Sequence, residues 1–213
     1  MATACCRPSE TAPPDGKAHA HAAPVSPAHV TGTSGAISSF FLIIGLIVGT
    51  WIGRIPAVTS NLDLDKAEIG SLLLFAGLGS LIAFQFIGRL IECYGSPRSA
   101  QCAGYLTVGG LAFLALAPTP ATLGGAMLFF GFVIGATGVA MNAQGISVER
   151  TLGRPVMSSL HGFFSLGTLI GSAFGGLMAQ IGIGAIPHFL GASGPGLATL
   201  VWASAHFIAD EPT

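Results

Sequence analysis

Six runs of mostly apolar residues, each near the length of a bilayer-crossing helix, constrain this chain most. They extend from Ile37 to Pro56, Ile69 to Leu90, Ser99 to Ala117, Ala121 to Gln144, Leu160 to Gln180 and Pro187 to Ile208. A transmembrane helix needs about 20 such residues, whereas a barrel strand is about half as long and alternates. Continuous apolar runs therefore predict helices, which satisfy their own backbone in lipid. The expected fold class is an all-α integral membrane protein with six transmembrane helices. In the sixth run, Gly191, Gly194, Pro195 and Gly196 predict an interruption.

Only 8% of the 213 residues are charged and 51% are hydrophobic. Soluble domains carry roughly 25% charged residues, so this chain cannot cover a water-facing surface and lipid is its expected solvent. The net charge of −1 excludes an electrostatic nucleic-acid partner. Residues 1–36 are rich in Ala, Pro, His, Ser and Thr and read as a disordered cytoplasmic tail. Residues 37–208 form the helical unit and residues 209–213 a short cytoplasmic end. His19, His21 and His29 are the only metal-binding suggestion in the tail, and scattered tail histidines more often bind nothing. No metal or cofactor is expected. Cys5, Cys6, Cys93 and Cys102 show no disulfide or metal spacing, so free thiols are expected.

Lys and Arg orient the runs. With the N-terminus inside, the inner segments hold Arg7, Lys17, Arg89, Arg98, Arg150 and Arg154, and the outer ones only Arg54 and Lys66. The positive-inside rule then predicts both termini in the cytoplasm. The short outer connections, Pro118 to Pro120 and Gly182 to Ala185, predict that spans three and four, and five and six, are close hairpins. Glycines recur every fourth residue at Gly45, Gly49 and Gly53, at Gly131 and Gly135, and at Gly167, Gly171 and Gly175. In lipid, small residues let helices approach closely, so these stripes predict tight helix pairs.

Between the second and third runs lies GRLIECYGSPR, Gly88 to Arg98. Its spacing of Gly88, Leu90, Glu92, Gly95 and Arg98 resembles the loop between helices 2 and 3 of the major facilitator superfamily (MFS) of transporters. Gly88 is expected to allow close approach of helix ends, and Gly95 a turn with positive φ. The resemblance implies that Glu92, where the family prefers Asp, latches onto a helix N-terminus of a second half. Gly167, Gly171, Ser172, Gly175 and Gly176 resemble the family's helix-5 motif GxxxGPxxGG, with Ser172 replacing Pro. Ala140 to Gly167 and Trp51 to Pro56 are similar to the fucose-permease side of the superfamily. The resemblance implies the N-terminal six-helix half of a twelve-helix carrier.

Polar residues inside membrane spans are functional hypotheses by default. The resemblance places helices 1, 2, 4 and 5 around a central cavity, which makes Trp51, Arg54, Asn142, Gln144 and His161 the candidate substrate contacts. An indole can stack on a sugar-like ring, amides can bond hydroxyls, and a guanidinium can hold a carboxylate or phosphate. The competing readings are ordinary ones: Arg54 snorkelling to headgroups, Asn142 and Gln144 bonding across helices, and His161 capping a helix. No Asp or Glu lies deep in a span, so His161 is the remaining titratable candidate for proton coupling.

The expected function is transport of a small solute, sugar-like or an organic anion, by a non-enzymatic secondary transporter in a bacterial inner membrane. One half supplies one wall of a cavity, so a truncated product, a homodimer or a separate second half is expected. A non-transporting scaffold or receptor is the alternative. A less favoured one is an intramembrane serine protease using Ser193, in Gly191-Ala192-Ser193-Gly194, with His206. Thirteen positions on one helix separate those two by about 20 Å, too far for catalysis unless the helix folds back.

Overall fold

The computed structural model describes residues 27–207. These residues form six helices and no strand: α1 (Pro27–Asn61), α2 (Lys66–Tyr94), α3 (Ser96–Ala115), α4 (Pro120–Leu152), α5 (Met157–Gln180) and α6 (Ala185–Ser204). Each predicted run falls on its own helix, although the third and sixth runs continue past the ends of α3 at Ala115 and α6 at Ser204. α1 starts ten residues before the first run, within the segment read as tail. The histidine suggestion at His19 and His21 lies outside the described residues, as does the His29 side chain.

Four helices, α1, α2, α4 and α5, are long and apolar enough to cross a membrane. The six expected spans are thus reduced to four by this measure. α3 and α6 have only 20 residues each, and polar side chains dilute both. α3 opens on Ser96, Arg98, Ser99 and Gln101, and α6 carries His188, Ser193 and two prolines.

Local chemistry fixes the helix ends. Asp65 caps α2 by accepting a hydrogen bond from the Glu68 amide at 2.8 Å, while the Glu68 carboxylate accepts from the Asp65 amide at 2.8 Å. Thr119 and Thr122 form the equivalent box at the start of α4. Glu149, near the end of α4, accepts hydrogen bonds from the Val156 and Met157 amides at 2.8 and 3.0 Å, so it ties the first turn of α5 to α4. α6 is not interrupted. Its glycines and Pro195 remain helical, and Ser193 and Thr199 donate to the Phe189 and Pro195 carbonyls one turn back.

Two glycine seams organise the bundle. On α1, Gly45, Gly49 and Gly53 face the backbone of Phe164, Thr168 and Ser172 on α5. Gly167 and Gly171 reciprocally face Leu42 and Leu46, and a methyl at Gly175 would stand 2.9 Å from the Thr50 carbonyl oxygen. The second seam joins α2 and α4, with Gly79 against Leu128, Gly131 against Ala76 and Gly135 against Ser80. In both seams residue numbers rise together, so α1 runs parallel to α5 and α2 parallel to α4. Each seam also carries one serine bond: Ser172 Oγ donates to the Gly49 carbonyl at 3.2 Å and Ser80 Oγ to the Gly131 carbonyl at 2.8 Å. Such a bond contributes about 0.6 kcal/mol in a membrane protein. Backbone contact along the whole seam therefore dominates.

α3 and α6 fill the remaining flank. Thr107 on α3 shares a 2.8 Å hydrogen bond with Thr137 on α4, and Gln101 donates to the Ser204 carbonyl of α6 at 3.0 Å. The apolar core, including Phe40, Phe41, Phe130 and Phe189, lies between α1, α3, α4 and α6. α2 and α5 each bury a narrow stripe and expose large apolar side chains such as Leu74, Phe86, Leu169 and Phe174. Such faces need lipid or protein against them.

One hairpin expectation holds and one does not. α3 and α4 pack along their length, whereas α5 and α6 barely touch despite their short connection. The seam holds α5 against α1, while α6 packs against α1 and α3, so the two splay apart.

Candidate functional site

The loop from Gly88 to Arg98 is mostly helical. α2 continues through Tyr94, and Gly95 alone makes the turn, with φ of 83° as its position predicts. Glu92 and Arg98 are exposed at this end. Gly88 departs from expectation: it is exposed, and no neighbouring atom lies within 4 Å of where its Cβ would stand. Close approach within the described residues does not explain that glycine. Cys102 is a free thiol, but Cys93 is bound in a disulfide, which corrects the expectation of free thiols. The helix-5 motif serves the seam: Gly167, Gly171, Ser172 and Gly175 meet α1, and Gly176 stands 4.0 Å from the Gly53 carbonyl oxygen, measured from its would-be Cβ.

The five candidate contacts do not converge. Trp51 is buried in the core, edge-on to Phe130 and Phe189 at 6.5 Å each. Gln144 is fully buried and accepts a 2.8 Å hydrogen bond from Ser96 Oγ, joining α4 to the start of α3. Asn142 is half-buried, with an amide oxygen that has no hydrogen-bond partner. His161 is exposed at the start of α5 and meets Phe41 edge-on at 5.7 Å. Asn142, Gln144 and His161 therefore lie toward one end of the bundle, with Trp51 and Arg54 toward the other.

Arg54 has the least expected surroundings. It is only 2% exposed, so it does not snorkel. Its Nη2 donates to the Ile183 carbonyl in the α5–α6 connection at 2.8 Å, while Nε and Nη1 are buried without partners. Nearby His188, on the first turn of α6, is 5% exposed, and neither ring nitrogen has a partner. Its ring rests against Phe174 and Phe189 at 5.6 and 5.7 Å. His188 was legible as an ionisable residue inside an apolar run, which by itself flags function.

The gap between α5 and α6 holds a half-open cavity of about 590 Å³ that α1 backs. Its wall is almost entirely apolar, including Ile43, Leu46, Phe174 and Met178, with Ile183 and His188 at one end. A second space of about 410 Å³ lies where α2 meets α3, lined by Arg98, Gln101, Ser204 and others. The protease geometry does not assemble. Ser193 Oγ bonds its own helix, and His206 lies beyond the end of the same unbroken helix, with Nδ1 2.9 Å from the Trp202 carbonyl oxygen.

No protein-family model matches the sequence. The chain is similar to the uncharacterized transporter y4wD of Sinorhizobium fredii, at 38% identity over 154 residues, covering 72% of this chain and 41% of that protein. It is 37% identical over 147 residues to an uncharacterized MFS-type transporter of Yersinia pestis, covering 69% and 38%. A third relative, the membrane protein MosC of Rhizobium meliloti, is 29% identical over 136 residues, covering 64% and 33%. The chain thus spans about two fifths or less of the curated relatives it matches. The long apolar helices and these relatives together identify the chain as an integral membrane protein related to transporters of the MFS type.

Proposed function

We propose that this chain is the N-terminal six-helix half of an MFS secondary transporter on the fucose-permease side of the superfamily. It moves a small solute, sugar-like or an organic anion, across a bacterial inner membrane, with the N-terminus and the α2–α3 turn on the cytoplasmic side. The parallel glycine seams, in a chain whose relatives are transporters, carry this reading. α4 runs parallel to α2, so the intervening chain must return across the same layer, and α3 is the segment available. Its 20 residues span about 30 Å as a helix, the thickness of the hydrocarbon. α6 likewise runs back along α1, from Ile183 beside Arg54 to His206 beside Gly32. This geometry supports six crossings, and the positive-inside rule favours Arg89, Arg98, Arg150 and Arg154 on the inner side.

The exposed faces of α2 and α5 then meet a second six-helix unit, supplied by further sequence, a separate chain or a second copy. Asn142, with its unpartnered amide oxygen, and exposed His161 are the substrate contacts favoured within this half. Trp51 and Gln144 hold the core that positions them.

Uptake tests this function. Cells producing the protein should accumulate at least one solute from a panel of radiolabelled monosaccharides and small carboxylates above vector controls. Asn142→Ala should reduce that accumulation at least tenfold. Accumulation of none, by the chain alone or together with a second half, contradicts the proposal.

A further inference from the structure

We propose that the cavity between α1, α5 and α6 binds a single-chain amphiphilic carboxylate, a fatty-acid-like monoanion, with its head at Arg54 and His188. This inference is independent of solute transport. His188 lines one end of the cavity, and Arg54 adjoins that end through its bond to the lining residue Ile183; both ring nitrogens of His188 and Nε and Nη1 of Arg54 are buried with no hydrogen-bond partner. Buried polar groups are almost always satisfied, so a cluster of unpartnered nitrogens favours a polar or charged occupant beside it. Arg54 brings a positive charge, and its only acceptor among the described residues is the neutral Ile183 carbonyl. A monoanion supplies the missing charge. One carboxylate oxygen can accept from Arg54 and the other from His188 Nε2–H or Nδ1–H.

The rest of the cavity selects the tail. Its volume of about 590 Å³ falls within the range of ligand sites, and its walls are apolar. From Arg54 back to Ile43, at the far end, α1 rises roughly 16 Å, the reach of one long acyl chain. A bulky phospholipid headgroup is disfavoured because the α5–α6 connection covers Arg54. The splay of α5 from α6 leaves an entrance from the lipid side.

The experiment is equilibrium binding of radiolabelled palmitate to the full chain in phosphatidylcholine nanodiscs. Saturable binding at one palmitate per chain is expected. Hexadecanol, lacking the charge, and acetate, lacking the tail, should compete at least tenfold less well than unlabelled palmitate. Arg54→Gln and His188→Phe should each weaken binding at least tenfold. Gly191→Leu supplies a variant that leaves the polar end intact: Gly191 lines the cavity and has open space where its Cβ would stand. It should fold normally and still block the tail. Absence of saturable binding, or wild-type affinity in both Arg54→Gln and Gly191→Leu, overturns the proposal. So does displacement of palmitate by phosphatidylglycerol at equal concentration, which would make a phospholipid the occupant.

Discussion

Gly131→Ala is expected to cost this protein about 3 kcal/mol of stability, the upper part of the range for overpacked cores. The added methyl would stand 2.6 Å from the Ala76 Cα and carbonyl carbon. Those are backbone atoms of a neighbouring helix, so no side-chain rotation relieves the clash and α2 must move away from α4. That movement also strains the Ser80 hydrogen bond to the Gly131 carbonyl. Gly138→Ala, two turns along the same helix, provides the contrast, since nothing lies within 4 Å of its would-be Cβ. There alanine should be neutral or stabilise by up to about 1 kcal/mol, because glycine is the poorer helix former. Thermal unfolding of the purified variants in one detergent measures both. Equal melting temperatures for the two would mean that the α2–α4 seam does not hold the bundle together.

Arg54→Met is expected to separate stability from binding. The wild-type side chain makes one hydrogen bond, to Ile183, whose loss costs about 1 kcal/mol. Keeping a guanidinium buried without a countercharge costs more, of the order of several kcal/mol. Methionine fills similar volume without that penalty. The variant should therefore melt at or above the wild-type temperature in ligand-free detergent, while its palmitate affinity falls at least tenfold. An early-melting Arg54→Met protein with intact palmitate binding would mean that Arg54 serves only to pin the α5–α6 connection.

The helices were legible because the hydrophobic runs are long and uninterrupted, and glycine spacing exposed both seams before their partners were visible. Periodicity shows that Gly49 and Gly53 share a face of α1. It does not show that α5, more than a hundred residues later, is the helix they meet. The splay of α5 from α6 was hidden for the same reason. A four-residue connection limits how far two helix ends can separate, but the seam with α1 decides where α5 goes. The pattern at Gly191 to Gly196 misled because a chain of glycines and one proline weakens a helix in water, whereas here α6 is clamped along α1 and α3. Among polar residues, Arg54 was found and its surroundings were not. Its burial comes from Ile183 and His188, both distant in sequence.

The most direct measurement of the central claim is membrane topology. In a protein with Cys5, Cys6, Cys93 and Cys102 replaced by Ser, single cysteines at Lys66, Gln180, Glu92 and Arg154 would be probed in intact cells with a membrane-impermeant maleimide. All four positions are exposed, the first two at ends of α2 and α5 that meet one face of the bundle and the others at the opposite face. Labelling of Lys66→Cys and Gln180→Cys from outside, with Glu92→Cys and Arg154→Cys reacting only after permeabilisation, is the predicted result. External labelling of Glu92→Cys together with Gln180→Cys would contradict the six-crossing arrangement.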